Sequence, residues 1–348
     1  MRILIATVKV PFVNGGAEIH AVELRQALIE AGHSAEIVAI PFKWYPPERI
    51  LDQMLACRLL DLTETASVPV DRLIALKFPA YLIPHPRKVI WLLHQHRQAY
   101  DLWQHPLNDL DKYENGADVR AAIQRADTEL IPLAAHVFAN SRNVALRLRT
   151  SCGVEAHPLY HPPQEAGLFY HAPAEDFLYF PSRINPLKRQ DLVMEALALT
   201  RTPAKVRFSA PATEPALERK CLALARENAL AGRVEWLGMV SNEAKRNLYA
   251  RCLGVLYPPL DEDYGYITLE AMLARKPVIT CADSGGPLEF VVHHGTGIVA
   301  EPRPEALAAA IDELWENRQT AARWGEAGRQ RYDELGIAWD HVVEQLLA

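Results

Sequence analysis

Residues 2–10, RILIATVKV, are almost continuously apolar, and the loop PFVNGG follows them. AEIHAVELRQALIEAG then spaces its apolar positions three and four apart and stops at Gly32. The first run predicts a strand buried on both faces, the second a helix with a glycine cap. SAEIVAI, DRLIALKF, KVIWLLH and HVFANS repeat the strand signature, each followed by loop or helix signals. Strands apolar on both faces and alternating with helices predict a parallel sheet covered on both sides. Between residues 160 and 176 the pattern lapses into YHPPQEAGLFYHAPAED, with three prolines and little periodicity. It then restarts with FLYFP, KVRFSA, RVEWLG, CLGVLYPP, KPVIT and GIVA. From Pro304 onward the chain reads as helix, with breaks expected near Gly325 and Gly336.

The predicted organisation is therefore two strand–helix domains in tandem, residues 1–165 and 166–330, with a helical tail over 331–348. A length of 348 residues suits two domains. With 49% hydrophobic and 23% charged residues the chain is globular rather than disordered. A net charge of −6 excludes a non-specific nucleic-acid binder, so an anionic ligand must be held by a few placed cations or backbone amides. The five cysteines are scattered, none paired at a zinc-type spacing, which predicts reduced thiols and a cytoplasmic protein. No run of about 18 apolar residues predicts a membrane span.

Ligands of open parallel sheets sit at the carboxyl ends of the strands, so the residues just after each strand carry the candidate chemistry. After the first strand come Gly15 and Gly16, where backbone amides can approach an anion at a helix start; a plain tight turn is the competing reading. KVIWLLH ends in His94, an imidazole able to donate to a hydroxyl or to move a proton; a structural histidine is the alternative. FLYFP is followed by Arg183 and, five residues on, Lys188, two cations that can converge on one anion or stand in solvent. Met239 and Val240 follow RVEWLG at a turn able to clasp a flat base, and Ser241 is placed to cap the next helix.

The richest stretch is residues 261–278, DEDYGYITLEAMLARKPV, in which seven residues separate Glu262 from Glu270. Gly265 falls where a helix should begin, so the amides of Tyr266, Ile267 and Thr268 would face a phosphate at the positive end of its dipole. Glu270, one turn in, can accept from the paired hydroxyls of a ribose, while Glu262 on the loop is placed for another sugar. Asp261-Glu262-Asp263 also spells a D-x-D metal clip, but Arg183 and Lys188 can neutralise a diphosphate directly, which favours a site without metal.

These residues resemble the retaining glycosyltransferases of family 4 (glycosyl transferases group 1), which have the GT-B fold: two Rossmann-like, doubly wound parallel-sheet domains facing across a cleft. The family's glutamate, glycine loop and second glutamate, closed by a Pro-Val turn, match Glu262, Gly265, Glu270, Pro277 and Val278. Its arginine and lysine match Arg183 and Lys188; its GGAE matches residues 15–18; its LG-x-V matches residues 237–240; and residues 284–289 and 295–297 match the segment after the signature. Three departures stand out: Tyr264 where phenylalanine is usual, and Arg189 and Arg275 where glycine is usual.

The resemblance implies transfer of a hexosyl group from a nucleotide diphosphate sugar to an acceptor hydroxyl, with configuration retained and no metal or other cofactor. A UDP-sugar is favoured, and GDP-mannose is the alternative. Catalytic roles fall to His94, Arg183, Lys188 and Glu262. Donor binding falls to Gly15, Gly16, Met239, Val240, Tyr264, Gly265, Tyr266, Ile267, Thr268 and Glu270. The acceptor is a sugar or a lipid-linked glycan of a biosynthetic pathway, and the tail helix is expected to pack on the first domain. Residues 42–60 and 142–149 mix aromatic, apolar and basic side chains, which suits either a peripheral membrane contact or packing on the sheet. A nucleotide-sugar epimerase on the same fold is the runner-up, and an NAD dehydrogenase is disfavoured because GxGxxG is missing.

Overall fold

The computed structural model describes residues 1–13, 15–209 and 214–348. Asn14 of the glycine loop and Ala210 of KVRFSA lie outside the described residues. The chain divides into one unit of residues Met1–Gln164 and Ala338–Ala348 and another of residues Glu165–Ile337.

The first unit runs β1 (Arg2–Lys9), α1 (Gly16–Glu30), β2 (Ser34–Pro41), α2 (Glu48–Leu59), β3 (Arg72–Ala75), β4 (Lys88–Leu92), α3 (Gly116–Leu130), β5 (His136–Ala139), α4 (Arg142–Cys152) and β6 (His157–Pro158). Its strands form a parallel sheet in the order β2-β1-β3-β4-β5-β6. The unbroken apolar run of β1 has a direct cause. Leu4, Ala6 and Val8 pack with Met54, Ile123 and Leu148 from α2, α3 and α4. Ile3 and Ile5 pack with Leu24 and Leu28 of α1 on the other face. Both faces are covered from Ile3 to Val8, so only the two end residues of the strand reach water.

The second unit runs β7 (Leu178–Phe180), α5 (Gln190–Leu199), β8 (Val206–Phe208), α6 (Pro215–Glu227), β9 (Val234–Trp236), α7 (Asn242–Arg251), β10 (Gly254–Leu256), α8 (Tyr266–Leu273), β11 (Val278–Cys281), β12 (Gly297–Ala300), α9 (Pro304–Glu316) and α10 (Arg318–Glu334). The sheet order is β9-β8-β7-β10-β11-β12, again parallel. The order reverses between β7 and β10, so the loops after Phe180 and Leu256 open side by side at the carboxyl edge.

α11 (Trp339–Leu347) belongs to the first unit, where it packs on α1 and buries Val342, Val343 and Leu346. The return comes at Ala338 rather than 331, and Glu165 already belongs to the second unit, because α10 continues to Glu334.

The expected break at Gly325 does not occur: α10 runs straight through it. A Cβ there would lie 2.1 Å from the carbonyl oxygen of Arg275, so this glycine serves close helix approach, not termination. Helix propensity alone favours alanine by about 1 kcal/mol. Overlap with a backbone atom costs about 1–3 kcal/mol and should win. Gly325→Ala is therefore expected to lower the unfolding midpoint, and a variant more stable than the parent would refute the close-approach reading.

The two arginines standing where the family pattern has glycine both take left-handed backbone, Arg189 at φ 58° and Arg275 at φ 56°. An L side chain costs about 1–2 kcal/mol there, which is why glycine suits such positions. Arg189 offsets the strain with a bidentate pair to Asp283, at 2.7 and 2.6 Å.

Candidate functional site

Four segments of the second unit meet around the β7/β10 edge. The β7 loop carries Arg183 and Lys188, and the β10 loop carries Tyr257 and Glu262. The two loops are tied by the amide of Leu260 donating to the carbonyl of Leu187 at 2.8 Å. Lys188 donates to Glu262 Oε2 and, at 3.4 Å, to the Tyr257 hydroxyl, with Nζ 5.6 Å from the centre of that ring. Burial, with the Glu262 charge beside it, raises the Tyr257 hydroxyl well above its ordinary pKa and keeps it a neutral donor. The side chains of Lys188 and Glu262 are each about one-fifth exposed.

A third segment fixes the β10 loop from behind. The amides of Asp261 and Glu262 donate to the carbonyls of Asp283 and Ser284, each at 2.9 Å, and the Gly286 amide returns to the Glu262 carbonyl at 2.8 Å. Gly265 has φ 91°, and a Cβ on it would come within 2.9 Å of Pro287; a Cβ on Gly286 would come within 2.6 Å of the Tyr264 carbonyl. Both glycines are required by backbone geometry, which explains their place in the motif.

Arg183 is exposed, and among the described residues its side chain makes no hydrogen bond or ion pair. It stands on the same loop as Lys188 without an internal task.

The start of α8 differs in part from expectation. The Thr268 amide is taken by the Gly265 carbonyl at 2.9 Å, because the helix opens with a tight i to i+3 turn, so this amide does not face outward. Thr268 itself is fully buried. The Tyr264 ring is also buried, edge-on to Tyr266 and Phe290 at 5.2 and 5.7 Å, so it packs the loop instead of meeting a ligand. Tyr266 and Ile267 remain half-buried at the helix start.

Glu270 is only 5% exposed, and both its oxygens are engaged: Lys245 Nζ donates to Oε1 and the Tyr249 hydroxyl to Oε2, each at 2.6 Å. Lys245 and Tyr249 lie on α7, whose first turn is capped by Ser241 accepting from the Ala244 amide at 3.2 Å, as expected. Sequence reasoning missed these two partners. The available signal was their spacing of four on one helix face. Met239 is 76% exposed and Val240 half-buried at the turn before α7.

The remaining candidates belong to the first unit and are not among these four segments. His94 follows β4 with Nδ1 2.7 Å from the Gln95 carbonyl. The Gly15 amide donates to Glu18 Oε2 at 2.8 Å and is occupied by its own helix, contrary to its expected role as an anion donor. Gly16 begins α1. No group of three or more His, Cys, Asp or Glu side chains able to hold a metal occurs among the described residues, and no helix among them is long and apolar enough to cross a membrane.

Residues 171–331 match the family described as glycosyl transferases group 1. It is 28% identical to O-antigen chain mannosyltransferase C of Escherichia coli over 195 residues, 55% of this chain and 51% of that one. It is 37% identical to an alpha-1,3/1,6-mannosyltransferase of Mus musculus over 123 residues, 35% of this chain and 29% of that one. The chain thus spans about half, or less, of the length of these curated relatives. Among solved structures it resembles Anabaena HepE in complex with UDP and glucose, with a TM-score of 0.71 at 18% identity over 99% of both chains. It also resembles sucrose-phosphate synthase from Thermosynechococcus elongatus, with a TM-score of 0.78 at 18% identity over 99% of this chain and 97% of that one. At these identities the likeness establishes the fold, which is GT-B with two Rossmann-like parallel-sheet units.

Proposed function

We propose that the chain is a retaining glycosyltransferase that moves a hexosyl group from a nucleotide diphosphate sugar to an acceptor hydroxyl without a metal. The observation that carries this reading is the convergence of Lys188 and Glu262 at the switch point of the second sheet. The bond from the anomeric carbon to the diphosphate oxygen breaks, the bond to the acceptor oxygen forms, and the departing phosphate oxygen takes the acceptor's proton. Charge grows on the diphosphate as this happens. Lys188, Arg183 and the amides of Tyr266 and Ile267 are the groups assigned to meet it, and fixed donors of that kind lower a barrier most. Glu262 aims Lys188 and orients the hexose. Glu270, held by Lys245 and Tyr249, accepts from the ribose, and His94 serves the transferred sugar.

UDP-sugar is the proposed donor, in keeping with a fold relative crystallised with UDP and glucose. The mannosyltransferase names of the curated relatives favour GDP-mannose as the second reading. Lys188 at the proposed diphosphate position makes a clamping cation unnecessary, which supports the metal-free reading.

Thermal unfolding with UDP, GDP and ADP, with and without EDTA, tests all of this. A ligand at a hundred times its Kd adds about 2.7 kcal/mol. One nucleoside diphosphate should raise the midpoint in EDTA as well as without it, and Glu270→Gln should weaken that shift, since an amide accepts only through its single oxygen. No shift with any diphosphate would sink the transferase reading; loss of the shift in EDTA would sink its metal independence.

A further inference from the structure

A cavity of about 440 Å³ in the first unit, lined by His94, Arg97, Tyr100, Arg120, Leu146 and Arg147 among others, includes none of the second unit's donor-site residues. Its lining carries three guanidinium groups against one carboxylate, that of Asp101, which pairs with Arg97 at 2.6 Å. Arg120 is held in place: its Nε donates to the Ala99 carbonyl at 2.9 Å and its guanidinium lies 4.6 Å from the centre of the Trp103 ring. An arginine fixed by stacking gives up little entropy when it binds an anion.

The side of the cavity against the core is built as well. Tyr100 donates to Asp127 at 2.7 Å and Gln95 donates to the same carboxylate oxygen at 3.1 Å, while Ser151 donates to Gln95 at 2.9 Å. Asp127 also accepts from Tyr81 at 2.8 Å, and its burial pushes the carboxyl up to about 6. Beside this polar network Leu146 of α4 stands 61% exposed and makes an apolar edge. Solvated arginines on an ordinary helix face need no such cavity and no such support.

We propose that this cavity holds the acceptor through an anionic group, a phosphate ester, with Arg120 and Arg147 as its anchors and Tyr100 and Leu146 against the rest of the molecule. The proposal rests on the transferase reading for the word acceptor, but binding itself can be measured without transfer. Calorimetric titration of the whole chain with octyl phosphate, inorganic phosphate and octyl glucoside separates the chemistries. Octyl phosphate should bind, and Arg120→Gln and Arg147→Gln should each weaken it about tenfold or more, the usual size of a lost charged hydrogen bond. Arg120→Lys should recover only part of that loss, because the fork and the stacking are gone. Octyl phosphate binding tighter than inorganic phosphate would identify a lipid phosphate as the source, and equal binding a soluble sugar phosphate; either supports the anionic site. Octyl glucoside binding as tightly as octyl phosphate, no binding of either phosphate, or variants that bind like the parent would overturn it. UDP titrated into the same variants should be unaffected, so failure here and failure of the donor reading are told apart.

Discussion

Lys188→Ala should slow glycosyl transfer by a hundredfold or more while leaving the unfolding midpoint nearly unchanged. One preorganised donor to a developing oxyanion is worth about 2.7–4 kcal/mol, and every 1.4 kcal/mol is tenfold in rate. The variant also removes the Lys188 contact of Glu262, so the acid assigned to the hexose is disturbed together with the charge. The two effects act on the same step, and the Glu262→Gln, Lys188→Ala pair should be far from additive. Stability is a different matter, because partly exposed ion pairs contribute only about 0–1 kcal/mol. Arg183→Ala is the cleaner probe of ligand charge alone, since among the described residues that side chain has no polar partner to lose. Steady-state transfer rates of the three single variants and the double variant decide the matter; turnover within threefold of the parent for Lys188→Ala would remove it from the mechanism.

Acidification from pH 6.5 toward 4 is expected to destabilise the first unit strongly. His20 and His161 are buried with Nδ1 of one 2.9 Å from Nε2 of the other, enclosed by the rings of Trp91 and Trp339. Burial lowers His20 to about 3, and burial followed by the charge of His20 puts His161 well below its ordinary value. Burial, then the charge of His94, lowers His96 to about 4. A histidine depressed in the folded state contributes stability that is complete above the unfolded value of about 6.5 and is lost as pH falls toward the folded value. Asp127 has the opposite sign: raised to about 6 by burial, it favours the folded state at low pH and loses that contribution as pH rises from about 4 to 6. A tenfold difference in proton affinity between the folded and unfolded chain corresponds to about 1.4 kcal/mol. The three histidines outweigh the single carboxyl over the shared window, so the net change is a loss on acidification. Denaturant midpoints at pH 7, 5.5 and 4.5 test this, and Asp127→Asn should steepen the decline by removing the opposing group. A midpoint that is flat or rises toward pH 4.5 would contradict the sign.

How much of this was legible in the sequence follows from which forces are local. The apolar runs of β1, β4, β7 and β10 and the periodic stretches between them announced two covered parallel sheets, because burial on both faces leaves its mark residue by residue. Ser241 as a helix cap and Gly265 as a helix start were legible for the same reason: each answers a requirement of its own few neighbours. The unusual arginines at 189 and 275 were visible as departures, and their left-handed backbone accounts for the glycine expected there. Gly325 was misread because the atom it makes room for, the carbonyl of Arg275, is fifty residues away and leaves no local trace.

The sequence by itself thus determined the fold class, the two-unit order and the candidates at the strand ends, since hydrophobic period and turn chemistry act over a few residues. Only the tertiary structure decided which candidates are open to a ligand and which are already engaged. Hydrogen-bond satisfaction is settled across the chain: Gly15 is taken by Glu18 and Thr268 by Gly265, while Glu270 is oriented by Lys245 and Tyr249 with lone pairs left for a ligand. Lys188 and Glu262, 74 positions apart, are brought together because the sheet order reverses between β7 and β10. That reversal is a property of how strands pair, and no stretch of the chain shorter than the whole unit encodes it.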